Sequence, residues 1–341
     1  MEKSSKPPTM TDIAARVGVS QATVSLVLNG APGTRISTAT REKVLNAARE
    51  MGYERMPHSE AGRRVIGLII NELTTSPHVG TLIEGARDEA SQNDCLLSIF
   101  VTGGDPEIEE AALDYLLSRP LIGVVYATLL TQGVKPPDRL KDTPTVLLNC
   151  HHVKSPHPSV VPGDVAGGFT ATTALLEAGH RRIAMINGED WIEASRDRVQ
   201  GYRQALTSHD IAVDPALICS GGWTQGSGRE QTHALLDLPS PPTAIFCFCD
   251  RMAVGVYEAI KSRGLRIPED VSVVGFDDEN FARDMDPPLT TLTLPHEAMG
   301  RWAVGRLVDP KQEASAERKI RKLKMECPLV VRASIGAARA A

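Results

Sequence analysis

Cysteine is scarce in this chain. Six thiols in 341 residues (Cys95, Cys150, Cys219, Cys247, Cys249 and Cys327) are too few for a disulfide framework, and a reduced cytoplasm suits them best. Long apolar runs are missing as well: no stretch of about 18 uncharged apolar residues occurs, so a transmembrane helix and a membrane partner are not expected. The segment MEKSSKPPTMTDIAARVGV has no apolar run ahead of Asp12 and Arg16, which argues against a secretory signal. No Ser-His-Asp set or carboxylate pair can be placed, so an enzyme is not expected. Cys247 and Cys249 share one strand face without a second thiol pair, and the acidic run Asp277, Asp278, Glu279, Asp284, Asp286 lacks EF-hand spacing, so no metal is expected. GGWTQGSG has glycines without the strand–GxGxxG–helix order of a dinucleotide site, and no other cofactor motif is present. His151, His152 and His157 fall in a Pro/Ser-rich stretch and read as solvated. The terminal GAARAA carries no heptads, which leaves a tetramer-forming coiled coil unsupported.

What is present is an ordinary globular composition, 42% hydrophobic and 23% charged, at a length that suggests two or three domains. The net charge of −5 is unevenly spread. Residues 1–60 hold eight Lys/Arg against six Asp/Glu, and residues 311–341 hold eight against three, so the intervening body is strongly acidic. A mildly basic head on an acidic body is compatible with nucleic-acid contact through the head alone. The basic run from Lys311 to Lys324 reads as a solvated crossover loop entering a strand, MECPLVVRAS.

Within the first fifty residues three helices are predicted. Thr11 caps the first, which ends at Gly18; Ser20 caps a second that stops at Gly30; Ser37 caps a third, in which Val44, Leu45, Ala48 and Met51 share a face. Ile13, Val17, Val24, Val27 and Leu28 supply the rest of a small core. Two short helices joined by Gly18-Val19-Ser20 form a helix-turn-helix candidate, whose second helix would lie in the major groove with its N-terminal residues at base edges. Gln21 suits bidentate pairing with adenine and Ala22 a thymine methyl, while Thr11, Ser20, Thr23, Ser25 and Asn29 suit phosphate oxygens. The alternative is that these short polar side chains only cap and solvate a helical bundle.

From Val65 onward the pattern changes. VIGLII, LLSIFV, LIGVVYA, PTVLLNC, RIAMING, TAIFCFC and SVVGFD are short apolar runs separated by helical stretches at 79–93, 106–118, 166–179, 196–207, 225–237 and 251–264. Apolar strands alternating with helices indicate parallel sheets covered on both faces, here in two α/β lobes. Ligands in such folds sit beyond the C-terminal strand ends. That rule selects Asn71, Glu72, Ala127, Thr128, Asn149, Asp250, Arg251, Asp277 and Asp278, with Arg198 at the start of a helix and Trp223 in the glycine-rich loop. Carboxylate, amide, guanidinium and one aromatic face are the groups that hold a polyhydroxylated ligand. Taken singly, Asp250 reads better as a helix cap and Trp223 equally well as core.

The string TMTDIAARVGVSQATVSLVLNG, followed by STATREKVLNAAREMGY, closely resembles the DNA-binding head of the lactose-repressor (LacI/GalR) family. The resemblance continues through TTALLEAGHRRIAMING, RDRVQGYRQAL, PPTAIFCFCDRMAVGVYEAIKSRGLRIPEDVSVVGFDD and DPPLTTLTLPHEAMGRWAV. It implies an all-α helix-turn-helix head on an α/β body of two doubly wound parallel-sheet lobes, like a type I periplasmic binding protein. The expected division is 1–53 for the head, 54–64 for a short linker or hinge, and 65–335 for the effector-binding and dimerisation body. Lobe 1 would take about 65–160 plus 290–320, and lobe 2 about 161–289 plus 321–335. By position, Gln21, Ala22 and Leu26 become base-facing, with Thr23, Ser25 and Asn29 near phosphates. Arg198 and Asp277 become the leading effector residues, with Asn71, Trp223 and His296 lining the same cleft and Asp250 beside it. Three departures stand out: Leu26 where Arg or His is common, Cys249 where Asn is common, and Pro162-Gly163-Asp164 in place of an Asp-Asn pair, which shifts Asp164. The connector, Glu54 to Val65, lacks the family's leucine and contains Pro57 and Gly62, so it reads as a flexible linker rather than a hinge helix. Arg55, Arg63 and Arg64 are its phosphate candidates, and Met56 is its one side chain suited to wedging into a minor groove.

Together these readings predict a cytoplasmic, non-enzymatic, homodimeric transcription regulator, most simply a repressor, that binds a pseudo-palindromic DNA operator under control of a small-molecule effector. A sugar or sugar derivative is the family expectation for that effector and a nucleobase the runner-up; induction and co-repression use the same residues. The competing classes are a solute-binding protein, which would need an export signal, and a sugar-processing enzyme with an appended head, which would need a catalytic set.

Overall fold

The computed structural model describes residues 9–28, 36–51, 64–73, 78–152, 154, 156–309 and 322–338. The chain divides into two compact units, residues 1–63 and 64–341.

In the first unit α1 (Met10–Val17), α2 (Gln21–Leu28) and α3 (Thr38–Glu50) enclose Ile13, Ala14, Val24, Val27, Val44, Ala47 and Ala48. The cap of α1 is Thr9 rather than the expected Thr11: the Asp12 N–H donates to Thr9 Oγ1 at 3.3 Å, and Asp12 Oδ2 accepts from the Thr9 N–H at 2.8 Å. Thr11 is followed directly by Asp12, whereas Thr9 stands three positions before that acidic residue, as a reciprocal cap needs. Gly18 closes α1 at φ +73°, a left-handed conformation that glycine adopts without strain. Ser20 and Ser37 cap as expected, accepting from the Thr23 and Thr40 N–H groups at 3.1 and 3.2 Å. An Arg16–Glu50 ion pair at 2.8 Å ties α1 to α3.

The second unit follows with β1 (Arg64–Ile70), α4 (Val79–Gln92), β2 (Cys95–Val101), α5 (Pro106–Leu117), β3 (Gly123–Gly133), β4 (Thr145–His151) and β5 (Ser159–Pro162). Next come α6 (Asp164–Glu177), β6 (Ile183–Asn187), α7 (Glu193–Ser208), β7 (Ile218–Ser220), α8 (Gln225–Leu236), β8 (Ala244–Cys247), α9 (Asp250–Ser262) and β9 (Ser272–Val274). The remaining elements are β10 (Thr291–Leu292), α10 (His296–Val308), β11 (Lys322–Met325) and β12 (Leu329–Val330). A six-stranded sheet runs β11-β5-β4-β3-β1-β2 and a four-stranded sheet β7-β6-β8-β9, every pairing parallel. Each sheet carries apolar cores on both faces, which is why its strands read as continuous apolar runs.

The chain passes between the lobes three times, at Pro162–Asp164, at Thr293–His296 and at Met325–Leu329. The crossings are stitched together by Gly163 N–H to Met325 O at 2.7 Å and Thr293 N–H to Pro328 O at 2.9 Å. Residues 321–335 were expected in lobe 2, but β11 pairs in register with β5 and so completes the first lobe's sheet. Its alternating lysines concealed it: Lys322 and Lys324 read as part of a solvated basic loop. The short strands β5, β7 and β10 also escaped the apolar-run reading, because two to four residues leave too little pattern, whereas β12 falls within the expected strand MECPLVVRAS.

Candidate functional site

Glycines bring α6 and α7 together. A Cβ on Gly168 would stand 2.3 Å from Arg198 O, and one on Gly201 2.1 Å from Val165 O, so only bare backbone permits this approach. The approach sets Arg198, on the second turn of α7, against Asp164, the first residue of α6: Arg198 Nε donates to Asp164 Oδ1 at 2.8 Å. Both side chains are buried. Arg198 Nη1 donates to Phe248 O at 2.5 Å and lies 3.8 Å from Asp277 Oδ1. The guanidinium is stacked, 3.5 Å from the Phe276 ring centroid and 4.4 Å from that of Phe248. Burial opposes its charge, but Asp164 and Asp277 outweigh that and hold its pKa above the ordinary arginine value.

These groups wall a cavity of about 60 Å³ between the lobes. His78, Leu129, Leu130, Thr131, Asn149 and His296 face it from the first lobe, and Asp164, Ile192, Arg198, Trp223, Phe248 and Asp277 from the second. Every strand leading into it (β3, β4, β8, β9) does so at its C-terminal end. The walls carry strain: Asn149, Trp223 and Asp277 have φ of +57°, +60° and +114°, and Asp278 follows at +56°. Such conformations in non-glycine residues cluster at ligand sites, where the surroundings hold them. Asn149 is fixed by Thr131 Oγ1, which donates to its Oδ1 at 2.7 Å, and by its own Nδ2, which donates to Leu129 O at 2.7 Å. Trp223 meets Phe248 edge-on at 4.9 Å.

Two histidines from the first lobe complete the wall. His78 Nε2 lies 3.5 Å from both Asp277 Oδ2 and Glu279 Oε1, across the cleft. Burial alone would lower its pKa, but bonding to and attraction by those two carboxylates raise it to about 10. His296, the first residue of α10, lies 6.0 Å from His78 ring to ring. Burial, with the charge on His78 beside it, lowers His296 to about 3, and its Nδ1 is buried without a hydrogen-bond partner. A neutral ring with an unsatisfied nitrogen, on a residue that lines a polar cavity, is a ready partner for a ligand hydroxyl.

Of the effector residues expected from the sequence, Asp164, Arg198, Trp223, Asp277 and His296 come together on the cavity wall. Two do not. Asn71 Oδ1 accepts from the Leu129 N–H at 2.9 Å, so it shapes the backbone of β3 from behind. Asp250 is neither a cap nor a lining residue. It is completely buried and accepts from Thr291 Oγ1 at 2.6 Å and the Glu279 N–H at 2.9 Å. Burial, then the charge of Asp277, pushes its pKa up to about 8. Cys249 is likewise buried behind the wall, its thiol pushed up to about 12 by burial. His151, expected in solvent, ends β4 and bridges the lobes, 2.8 Å from Glu193 Oε2, with Lys322 Nζ 3.2 Å from Glu193 Oε1. His78, Phe248 and Phe276 were missed. Phe248 and Phe276 stand where the strand-end rule pointed, but the search there was for polar groups; His78 announces itself only by preceding a helix.

In the head, Gln21 and Ala22 are exposed at the N-terminus of α2, with Leu26 39% exposed along the same helix. Thr11 and Ser20 are exposed, and Thr23 and Ser25 half-buried, with Thr23 Oγ1 2.8 Å from Ser20 Oγ. Asn29, Arg55 and the expected linker through Arg63 lie outside the described residues. Among the described residues no three His, Cys, Asp or Glu side chains are grouped to hold a metal ion, and no helix is long and apolar enough to cross a membrane.

A helix-turn-helix unit followed by two parallel-sheet lobes with a polar cavity at their strand ends defines a ligand-sensing regulator. Comparison with known proteins gives the family. Residues 9–55 match the family model for bacterial regulatory proteins of the lacI family, and residues 172–335 that of a periplasmic-binding-protein-like domain. The HTH-type transcriptional repressor CytR of Escherichia coli (strain K12) is 33% identical over 338 residues, 98% of each chain. The structure of a CelR–cellobiose complex, a transcriptional regulator, is 32% identical, covers 96% of this chain and 99% of its own, and superposes with a TM-score of 0.65. The lac repressor dimer bound to operator and the anti-inducer ONPF is 27% identical, covers 97% of this chain and 100% of its own, and has a TM-score of 0.70. The chain belongs to the lacI family of bacterial regulatory proteins, whose members are transcriptional regulators and not enzymes.

Proposed function

We propose that this protein is a cytoplasmic homodimeric repressor whose hold on a pseudo-palindromic DNA operator is set by a carbohydrate bound between its lobes. The observation that carries the reading is one chain uniting an exposed recognition-helix start, Gln21 and Ala22, with a cavity built on Arg198, Asp164 and Asp277. Its relatives, a repressor, a regulator in complex with cellobiose and a repressor dimer bound to operator, support the reading. The division into a head at 1–53, a linker at 54–64 and a two-lobed body from 65 to 335 belongs to this proposal, with the first lobe's return segment extended through Met325.

Gln21, Ala22 and Leu26 read bases, while Thr11, Ser20, Thr23, Ser25, Asn29 and Arg55 hold the duplex backbone. In the body, Arg198 and the carboxylates of Asp164 and Asp277 accept and donate around the ligand, Trp223 offers its ring and His296 its unpaired nitrogen; Asn71 and Asp250 act from behind the wall. A cavity of about 60 Å³ has room for a few waters. The lobes therefore part to admit a sugar ring and close over it. Closure moves DNA affinity by no more than the ligand's difference in affinity for the two states. The reading is tested by selecting duplexes from a random library with the purified full chain. A recovered two-fold pseudo-palindrome supports a dimeric operator-binding repressor; no enriched sequence refutes it.

A further inference from the structure

The core beneath α7 opens to the surface at its outer end. Side chains alternate across a strand, so in β6 Ile183 and Met185 enter this core and Asn187 is the next to face it. Edge strand β7 lies alongside, with Ile218 opposite Met185 and Ser220 opposite Asn187. Where the core meets the surface, Val199 of α7 with Val213, Pro215 and Ile218 walls a cavity of about 550 Å³. The cavity shares no lining residue with the cleft between the lobes.

Its polar groups are ordered by depth. Asn187 is only 3% exposed, and its Oδ1 is buried without a hydrogen-bond partner. A buried oxygen left without a donor carries a desolvation cost that a ligand donor removes. Arg203 of α7 and Asp190, in the turn before α7, line the same cavity and are exposed. Among the described residues neither side chain takes part in an ion pair. Arg196 donates to the Asp190 carbonyl at 2.9 Å and not to its carboxylate. From rim to floor the cavity thus presents one cation and one anion, an aliphatic passage, and one unsatisfied acceptor. A free α-amino acid carries a carboxylate and an ammonium at one end, and an aromatic ring with a terminal hydroxyl supplies an apolar body followed by a donor.

We propose that the second lobe carries a separate binding site for a free aromatic α-amino acid with a donor at the far end of its ring, as in tyrosine. Its carboxylate meets Arg203, its ammonium Asp190, its ring the walls at Val199, Val213 and Ile218, and its ring donor Asn187 Oδ1. The site is independent of what the cleft between the lobes binds. Calorimetric titration of the full chain with tyrosine tests it, against phenylalanine, tyramine, which lacks the carboxylate, and desaminotyrosine, which lacks the ammonium. Tyrosine is expected to bind about tenfold more tightly than each analogue. Arg203→Ala should weaken tyrosine about tenfold and leave tyramine within about twofold, while Asn187→Leu should erase the gap between tyrosine and phenylalanine. Tyrosine binding unchanged by Arg203→Ala overturns the proposal. Phenylalanine binding the wild type as tightly as tyrosine, or tyrosine not binding at all, overturns it too. Arg203 is exposed and outside any ion pair, so its variant folds like the wild type and the test stands even if Asn187→Leu does not fold.

Discussion

Replacing Arg198 with Met keeps a long apolar stem and removes the charge. In the native body the guanidinium faces Asp164 at 2.8 Å and Asp277 at 3.8 Å, donates to Phe248 O, and lies between two phenyl rings, with 3% of its surface exposed. The methionine side chain can keep some of the stacking contact, so the loss is mainly electrostatic. Asp164, itself 2% exposed, is left as a buried carboxylate without its cation. Removing one partner of a buried pair typically costs about 3–5 kcal/mol, far more than the pair's net worth. Arg198→Met is therefore expected to lower the unfolding free energy of the body by about 3–5 kcal/mol in urea titrations at neutral pH. Because the cost belongs to the stranded carboxylate, adding Asp164→Leu should restore more than half of it. A single-variant loss below about 1 kcal/mol, or a double variant no better than the single, would refute the reasoning. Arg198→Lys should fold better than Arg198→Met yet still fail to bind effector, since a lysine cannot serve Asp164 and Phe248 O from one planar fork.

Further outcomes follow from individual residues. Gln21→Ala should relax operator specificity at one base position by about 1–3 kcal/mol, read as a changed preference in duplex selection; an unaltered preference would remove Gln21 from base readout. His78 has its pKa raised to about 10 from an ordinary 6.5, so the stability it contributes is fully present below about pH 6.5 and is lost as pH rises through about 10. The stability difference between wild type and His78→Gln should shrink over that window, and a difference that grows with pH would contradict the ion pair. Asp250 has its pKa raised to about 8 from 3.8, so the stability its protonated carboxyl contributes is fully present below about pH 4, is lost progressively as pH rises to about 8, and changes no further above that. Asp250→Asn should accordingly fold and gain on the wild type between about pH 4 and 8 in thermal unfolding, with the gain levelling off above about pH 8.

Much of this architecture was legible because its cause is local. The alternation of apolar β-branched runs with helical stretches led to both sheets, and the helical ranges around 79–93, 106–118 and 225–237 lie within a residue or so of α4, α5 and α8. The strand-end rule pointed to Asn149 and Asp277 because chain ends at a parallel sheet's C-terminal edge are forced toward one cleft. What was not legible depends on contacts between distant segments. Asn71 sits at a strand end like Asp277, but only the neighbouring β3 backbone shows that its carboxamide oxygen is already engaged. His151 looked solvated because Glu193 and Lys322 are 42 and 171 positions away along the chain. β11 was hidden by Lys322 and Lys324: Lys322 turns to Glu193 across the lobes, while Lys324 stays exposed on the strand with Asp197 3.8 Å away.

The central claim is that ligand in the cleft changes the head's grip on DNA. The most direct measurement is the affinity of the full chain for its selected operator duplex, with and without a saturating pool of mono- and disaccharides, alongside a thermal-shift readout of sugar binding on the same protein. The account predicts that sugars which raise the melting temperature also change operator affinity at least about tenfold, roughly 1.4 kcal/mol of coupling. Sugars that bind and stabilise the body while operator affinity stays unchanged would contradict it.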